Sequence, residues 1–186
     1  MPKLLIYPRT ELPPELNWQI ISYIRATAPD ALNGFDWWKY WMSEDGNDHS
    51  HHMILAENGI MISHTEVVWK TLKHSGETYK VYGLTSVFTY PGLRHQGYGT
   101  QIVEAGTKHI RESDADIGLF NCQLQLESFY SRCGWIPMRN VTVLIQHQDK
   151  WIAVDELTMM LFLSEKGKRR QATFESEPMR FGEREW

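Results

Sequence analysis

Three apolar runs follow one another with almost nothing between them: His52 to Ala56, Ile60 to Lys70 and Thr78 to Tyr90. Asn58-Gly59 separates the first pair and a stretch containing Gly76 the second, and such short glycine-bearing links force the chain to reverse on itself. The pattern predicts an antiparallel meander. In the third run Val81 and Val87 fall on one face and Tyr82, Leu84 and Phe88 on the other. Pro91 closes it, because proline cannot donate to a strand ladder. The remaining segments must therefore pack on a sheet.

Those segments read as a mixture of helices and further strands. Lys3 to Tyr7 fits an edge strand. Pro14 opens a helix whose apolar positions are Leu16, Ile20, Ile21 and Ile24, and a second short helix is expected over Asp36 to Met42. Beyond the meander, Gly99, Ile102, Val103, Gly106 and Ile110 recur at helical spacing, and Ile117 to Phe120 is a short buried strand. Leu126, Phe129, Tyr130 and Cys133 mark another helix, capped by Gly134, and Val141 to Gln146 and Leu157 to Leu163 are the last strands. The order predicts an α/β (α+β) fold built on one sheet. With 186 residues the expectation is a single domain over 1–163. Residues 164–186, with six basic and five acidic side chains and few apolar ones, are expected to form a disordered tail.

The net charge of −4 argues against nucleic acid as a partner, since that binding rests on cationic side chains neutralising phosphates. No apolar run is long enough to span a membrane, and MPKLLIYPRTELPP lacks the apolar core of a signal peptide, so the expected setting is the cytoplasm. Two cysteines, Cys122 and Cys133, are too few for a disulfide framework. His49-Ser50-His51-His52 beside Asp48 has ligand-type side chains, but it is expected to be a solvated loop entering a strand, and no metal is predicted.

The most informative short stretch is Arg94-His95-Gln96-Gly97-Tyr98-Gly99, set between a strand and a helix. Such a junction presents unpaired backbone N–H groups at the positive end of the helix dipole, an anion site. GYGTQI lacks the third glycine of a dinucleotide loop, and the chain has no P-loop lysine motif.

Arg94-x-x-Gly97-x-Gly99, with Phe129-Tyr130-x-x-x-Gly134-Trp135 following after a helix, a strand and a second helix, resembles the GNAT superfamily of N-acetyltransferases. The resemblance covers Thr78 to Met138. It implies a mixed, mostly antiparallel central sheet flanked by helices, with strands splayed at the site of acetyl-CoA. It also implies that backbone of Val87, Phe88 and Thr89 pairs with the pantetheine arm. The pyrophosphate would be held by N–H groups of His95, Gln96, Gly97, Tyr98, Gly99 and Thr100, with Arg94 organising the loop. An N–H near Phe88 or Thr89 would face the oxyanion, and Tyr130 would protonate the departing thiolate. Relatives often carry a strand glutamate as base, but this chain has Gly83, Leu84 and Thr85 on one strand and Ile117 to Phe120 on the next. Glu66 is the first choice of base, with His64 or ordered water as alternatives.

Asp30 to Asp48 holds five acids against one base, together with Trp37, Trp38 and Trp41, a combination suited to a cationic acceptor. The layout is similar to that of aminoglycoside 2'-N-acetyltransferases, which implies acceptor contacts from Asp36, Trp37, Thr85, Asp155, Glu183 and Trp186. Where that group has a strand acid this chain has Thr85. The resemblance thus implies acetyl transfer from acetyl-CoA to a small primary amine, aminoglycoside-like or polyamine, with a homodimer a common family form and the tail free to fold over the acceptor. A peptide N-acetyltransferase and an acyl-CoA sensor without turnover are the alternatives.

Overall fold

The computed structural model describes residues 1–28, 49–147 and 149–182. The chain forms two compact units, Met1–Val68 with Ser86–Gly106 and Trp69–Thr85 with Thr107–Trp186. The helix expected over Asp36 to Met42 lies outside the described residues.

The first unit contains β1 (Lys3–Pro8), α1 (Pro14–Thr27), β2 (His51–Glu57), the start of β3 (Ile60–His74), the end of β4 (Glu77–Thr89) and most of α2 (Tyr98–Arg111). β1 runs antiparallel to β2 from Lys3↔Ala56 to Pro8↔His51, and β2 antiparallel to β3 from His51↔Val67 to Glu57↔Ile60. The turn between β2 and β3 works because Asn58 and Gly59 both take left-handed backbone, φ 53° and 77°, whose twist matches a tight hairpin. α1 starts at proline, whose missing N–H costs nothing at a helix start. Its Leu16, Ile20, Ile21 and Tyr23 pack on Ile54, Ala56, Met61 and Phe88. Full burial of Ile20 and Ile21 contributes about 1.5–3 kcal/mol each. Gln19 fixes the register: its amide nitrogen donates to the Gly59 carbonyl at 3.0 Å and its oxygen accepts from Met61 N–H at 2.9 Å.

The second unit contains the rest of β3 and β4, β5 (Ile117–Cys122), α3 (Glu127–Arg132), β6 (Ile136–Met138), β7 (Val143–His147), β8 (Lys150–Ala153), β9 (Leu157–Phe162), α4 (Glu165–Arg169), α5 (Gln171–Ser176) and β10 (Met179–Gly182). β5 pairs along its whole length with antiparallel β9, from Ile117↔Phe162 to Cys122↔Leu157. With β4 it makes only two parallel pairs, Val81↔Ile117 and Tyr82↔Gly118. Hydrogen bonding follows the order β1-β2-β3-β4-β5-β9-β6, and a three-stranded sheet has the order β10-β7-β8. The fold is mixed α/β with a mostly antiparallel sheet, as the sequence implied.

The tail departs from its composition. Residues 164–182 form α4, α5 and β10, and Phe174, Met179 and Phe181 are buried in one core with Tyr79, Val81, Ile117 and Met160. Three well-spaced apolar side chains dock a segment whose average polarity predicts disorder. Ser164 caps α4 by accepting from Gly167 N–H at 3.0 Å and donates its own hydroxyl to Asp116 at 2.7 Å. A Cβ at position 167 would lie 2.5 Å from the Asp116 carbonyl oxygen, so only glycine fits there. β6 and β8 escape a sequence reading because one has three residues and the other is exposed throughout, leaving no apolar period to read.

Candidate active site

β4 pairs with β5 at Val81 and Tyr82 in the second unit, and its last residues, Ser86 to Thr89, belong to the first unit. Within this stretch Ser86 has φ 51°, a left-handed value that breaks the alternation of faces and kinks the strand. Thr85, Ser86 and Val87 are half-buried, Phe88 and Thr89 buried. The β3 side chains meet this kink with hydrogen bonds. Ser63 donates its hydroxyl to the Phe88 carbonyl at 2.7 Å and lies 2.9 Å from the Thr89 hydroxyl, and His64 Nδ1 is 2.9 Å from the Ser86 carbonyl.

β4 then passes through a 3-10 turn, Pro91–Leu93, into the glycine stretch. His95, Gln96 and Gly97 are exposed, and His95 and Gly97 have φ 63° and 83°. A Cβ built on Gly97 meets only Gln101 Nε2, at 3.9 Å, so it is the dihedral and not crowding that calls for glycine, and the space over the loop is open. α2 has no acidic residue in its first turn to compete for its free N–H groups. Arg94, though exposed, reaches back within the first unit: Nε donates to the Thr89 carbonyl at 3.2 Å and Nη2 to the Tyr23 hydroxyl at 3.0 Å, tying the loop to the end of β4 and to α1. Backbone N–H groups at an open helix start make an anion site that needs no cationic side chain.

Glu66 and His64 share a face of β3 with His52 of β2, which is the cross-strand partner of Glu66. His49 is exposed and β2 begins at His51, as a solvated loop entering a strand requires, but Ser50, His52, His64 and Glu66 are all at most 1% exposed, so the end of that loop is buried. The cause is partnering. Ser50 donates to Glu66 Oε1 at 2.5 Å, Arg9 Nη1 lies 3.4 Å from the same oxygen, and His52 Nε2 lies 3.7 Å from it. His52 Nδ1 is 3.0 Å from His64 Nε2. Burial pushes the pKa of His52 down to about 3, aided by the charge of Arg9 and by His51. It pushes His64 to about 3 as well, with His52 adding to the effect and the Ser86 carbonyl and Glu66 opposing it. His64, an alternative base, thus has both ring nitrogens engaged. Among the described residues no three His, Cys, Asp or Glu side chains are arranged to hold a metal ion.

In the second unit, Tyr130 on α3 is 6% exposed and sits against Phe120 (4.6 Å between ring centroids) and Phe129 (4.9 Å), both edge-on. Burial raises its pKa well above the usual phenol range, with smaller contributions from Cys122 and Cys133, so the hydroxyl keeps its proton. Gly134, φ 88°, ends the helix and lets Trp135 N–H reach back to the Tyr130 carbonyl at 3.2 Å. Trp135 anchors that turn, donating to the Thr107 hydroxyl at 2.8 Å and covering Gly118, where an added Cβ would come within 2.9 Å of the indole.

Asp155 is exposed just before β9. Asp36, Trp37, Glu183 and Trp186 lie outside the described residues. Sequence reading passed over Ser63, Ser86, Arg9 and Tyr23. Ser86 carries no signal in its residue type, whereas the cross-strand spacing of His52 and His64 was visible once the meander was drawn.

A family model described as "Acetyltransferase (GNAT) domain" matches residues 23–138, more than half of the chain. Among solved structures, an acyl-CoA N-acyltransferase from Pseudomonas aeruginosa is similar at 14% identity with a TM-score of 0.59, covering 86% of this chain and 99% of its own. Escherichia coli ElaA is 15% identical with a TM-score of 0.58, covering 85% and 98%. An acetyltransferase of the GNAT family from Staphylococcus aureus is 13% identical with a TM-score of 0.56, covering 88% and 100%. No curated protein matches the sequence. With the family match laid over the kinked β4, the glycine loop and the helix that bears Tyr130, the chain belongs to the GNAT acetyltransferases and is an acyl-CoA-dependent N-acetyltransferase.

Proposed function

We propose that this protein moves an acetyl group from acetyl-CoA to a primary amine of a small cationic acceptor, aminoglycoside-like or polyamine. The observation that carries the donor half is the course of β4, which is unpaired with β5 beyond Tyr82, kinked at Ser86 and continuous with an open glycine loop at a helix start. When bound, the thioester supplies an activated carbonyl for the amine to attack. Val87 to Thr89 offer N–H groups to its arm and its developing oxyanion, and His95 to Thr100 offer theirs to the pyrophosphate. Tyr130 donates its phenolic proton to the leaving sulfur, the role implied by its place in the Phe129-Tyr130-x-x-x-Gly134-Trp135 motif. Glu66, buried between Arg9, Ser50 and His52, is the base that receives the proton of the ammonium.

For the acceptor, the support is compositional. Five acids with one base and three tryptophans between Asp30 and Asp48, together with Asp155, Glu183 and Trp186, suit a polycation. Thr85, half-buried beside the kink, completes the proposed acceptor contacts. The negative net charge supports partners other than nucleic acid, a cytoplasmic setting is part of the proposal, and no helix among the described residues is long and apolar enough to cross a membrane. A homodimer is the form we propose to test by light scattering.

The decisive assay mixes purified protein with acetyl-CoA and a panel of aminoglycosides, polyamines and peptides, and follows free thiol. Thiol release on aminoglycosides or polyamines is the expected result. Release on peptides alone replaces the acceptor class. Acetyl-CoA binding with no release on any amine would make the protein a sensor, and no acetyl-CoA binding would remove the donor.

A further inference from the structure

Four described residues other than glycine have positive φ, and three of them, Asn58, Ser75 and His95, are in turns or the glycine loop. Ser86 alone is inside a strand. A left-handed serine is strained and persists only where its neighbours dictate it. The neighbours are on β3. A carbonyl oxygen can only accept, so His64 Nδ1 carries the hydrogen and donates it to Ser86 at 2.9 Å. His64 Nε2 then offers a lone pair, which accepts from His52 Nδ1–H at 3.0 Å. His52 Nε2 is left bare, buried without a hydrogen-bond donor and 3.7 Å from the Glu66 carboxylate that Ser50 and Arg9 hold. Ser63, beside His64, donates to the Phe88 carbonyl. The carbonyls on either side of Val87 are thus both held from β3.

We infer that His64 is a positioning residue: its bond to the Ser86 carbonyl fixes the kinked backbone so that an N–H near Phe88 or Thr89 faces the thioester oxygen, and His52 sets the tautomer that makes this bond. The inference rests on the acetyl-transfer reading and adds to it how the donor strand is held. No proton moves through His64. The groups around the pair are Arg9, Ser50, His51, Glu66 and the Phe88 ring, 5.2 Å from that of His64. Burial keeps both imidazoles neutral, so the tautomer stays the same across the working pH range.

The test combines the unloaded protein with turnover. In the unloaded protein, nitrogen NMR should show His64 in the Nδ1–H form with no titration between about pH 5 and 8. His64→Leu should lower kcat by about 10²-fold, as loss of an oxyanion donor does, leaving KM for acetyl-CoA within about 3-fold. The loss should be equal for amine transfer and for slow hydrolysis by water, and equal at every pH. His64→Asn, whose amide can still donate to Ser86, should recover most of it and shift the Val87 and Phe88 amide resonances least. Ser63→Ala, removing the second clamp, should cost about 10-fold and decides the matter if the leucine variant does not fold. An Nε2–H tautomer, an unaffected kcat or a deficit that vanishes at high pH would overturn the inference, the last by making His64 a base. A wild-type protein without thiol release would instead remove the acetyl-transfer reading, while the tautomer still reports on the clamp.

Discussion

His64 in the first unit and Tyr130 in the second are buried to almost the same degree, 0% and 6% exposed, in opposite surroundings. The histidine stands in a row of polar side chains with each ring nitrogen matched, and the tyrosine stands among Phe120 and Phe129. Desolvation penalises whichever form is charged, so it lowers the histidine and raises the tyrosine. Both end up neutral, to different effect. A matched neutral imidazole is a fixed template with no proton to spare, while a phenol in an apolar cage keeps its proton and yields it less readily than an exposed tyrosine would.

The sharpest way to break this contrast is Tyr130→Phe. The ring remains against Phe120 and Phe129, so packing is preserved and only the hydroxyl is lost. Turnover should fall by about 10²–10³-fold, the usual contribution of a positioned general acid, with KM for acetyl-CoA little changed and the melting temperature held. Thiol-release kinetics read this directly. An unchanged kcat would make Tyr130 a core residue whose burial serves packing alone.

The second consequence is for stability, and it concerns the histidines. Their folded pKa of about 3 lies below the unfolded value of 6.5. Between those values the unfolded chain binds more protons, so acid favours unfolding, and the stabilisation present above pH 6.5 is lost progressively as pH falls toward 3. Two such groups give a slope of up to about 2.7 kcal/mol per pH unit. Urea unfolding at a series of pH values should show stability dropping steeply below about pH 6, and His64→Asn should roughly halve the slope. A flat profile from pH 7 to about pH 4.5 would mean that the pair titrates in the folded protein as it does in the unfolded chain.

The two regions also differ in how far the sequence exposes them. RHQGYG and FYSRCGW are local: Gly97 and Gly134 are needed for their own left-handed dihedrals. The meander was legible because Asn58-Gly59 and Gly76 are turns by residue type. The polar row is a product of pairing instead. His52 meets Glu66 only through the β2–β3 register, which slips between Leu55 and Ala56, and the kink at Ser86 is imposed by β3 and not by serine. The tail hid for a related reason, since Phe174 and Met179 gain their burial from a core built by distant strands.

The smallest predicted effect tests whether the glycine loop is held as the polar row is, by geometry, or by charge. Arg94 is placed to organise: Nε and Nη2 reach two separate acceptors, the Thr89 carbonyl and the Tyr23 hydroxyl. Lysine keeps the positive charge but has a single point donor in place of the planar fork. If Arg94 works by geometry, Arg94→Lys and Arg94→Met should raise KM for acetyl-CoA alike, by roughly 5-fold, about 1 kcal/mol, and leave kcat nearly unchanged. If it works as a phosphate ligand, lysine should restore most of the affinity and the methionine variant should show a weaker dependence of KM on salt. The two hydrogen bonds favour the first outcome, in which the loop binds pyrophosphate through its backbone and the arginine serves only to keep that backbone in place.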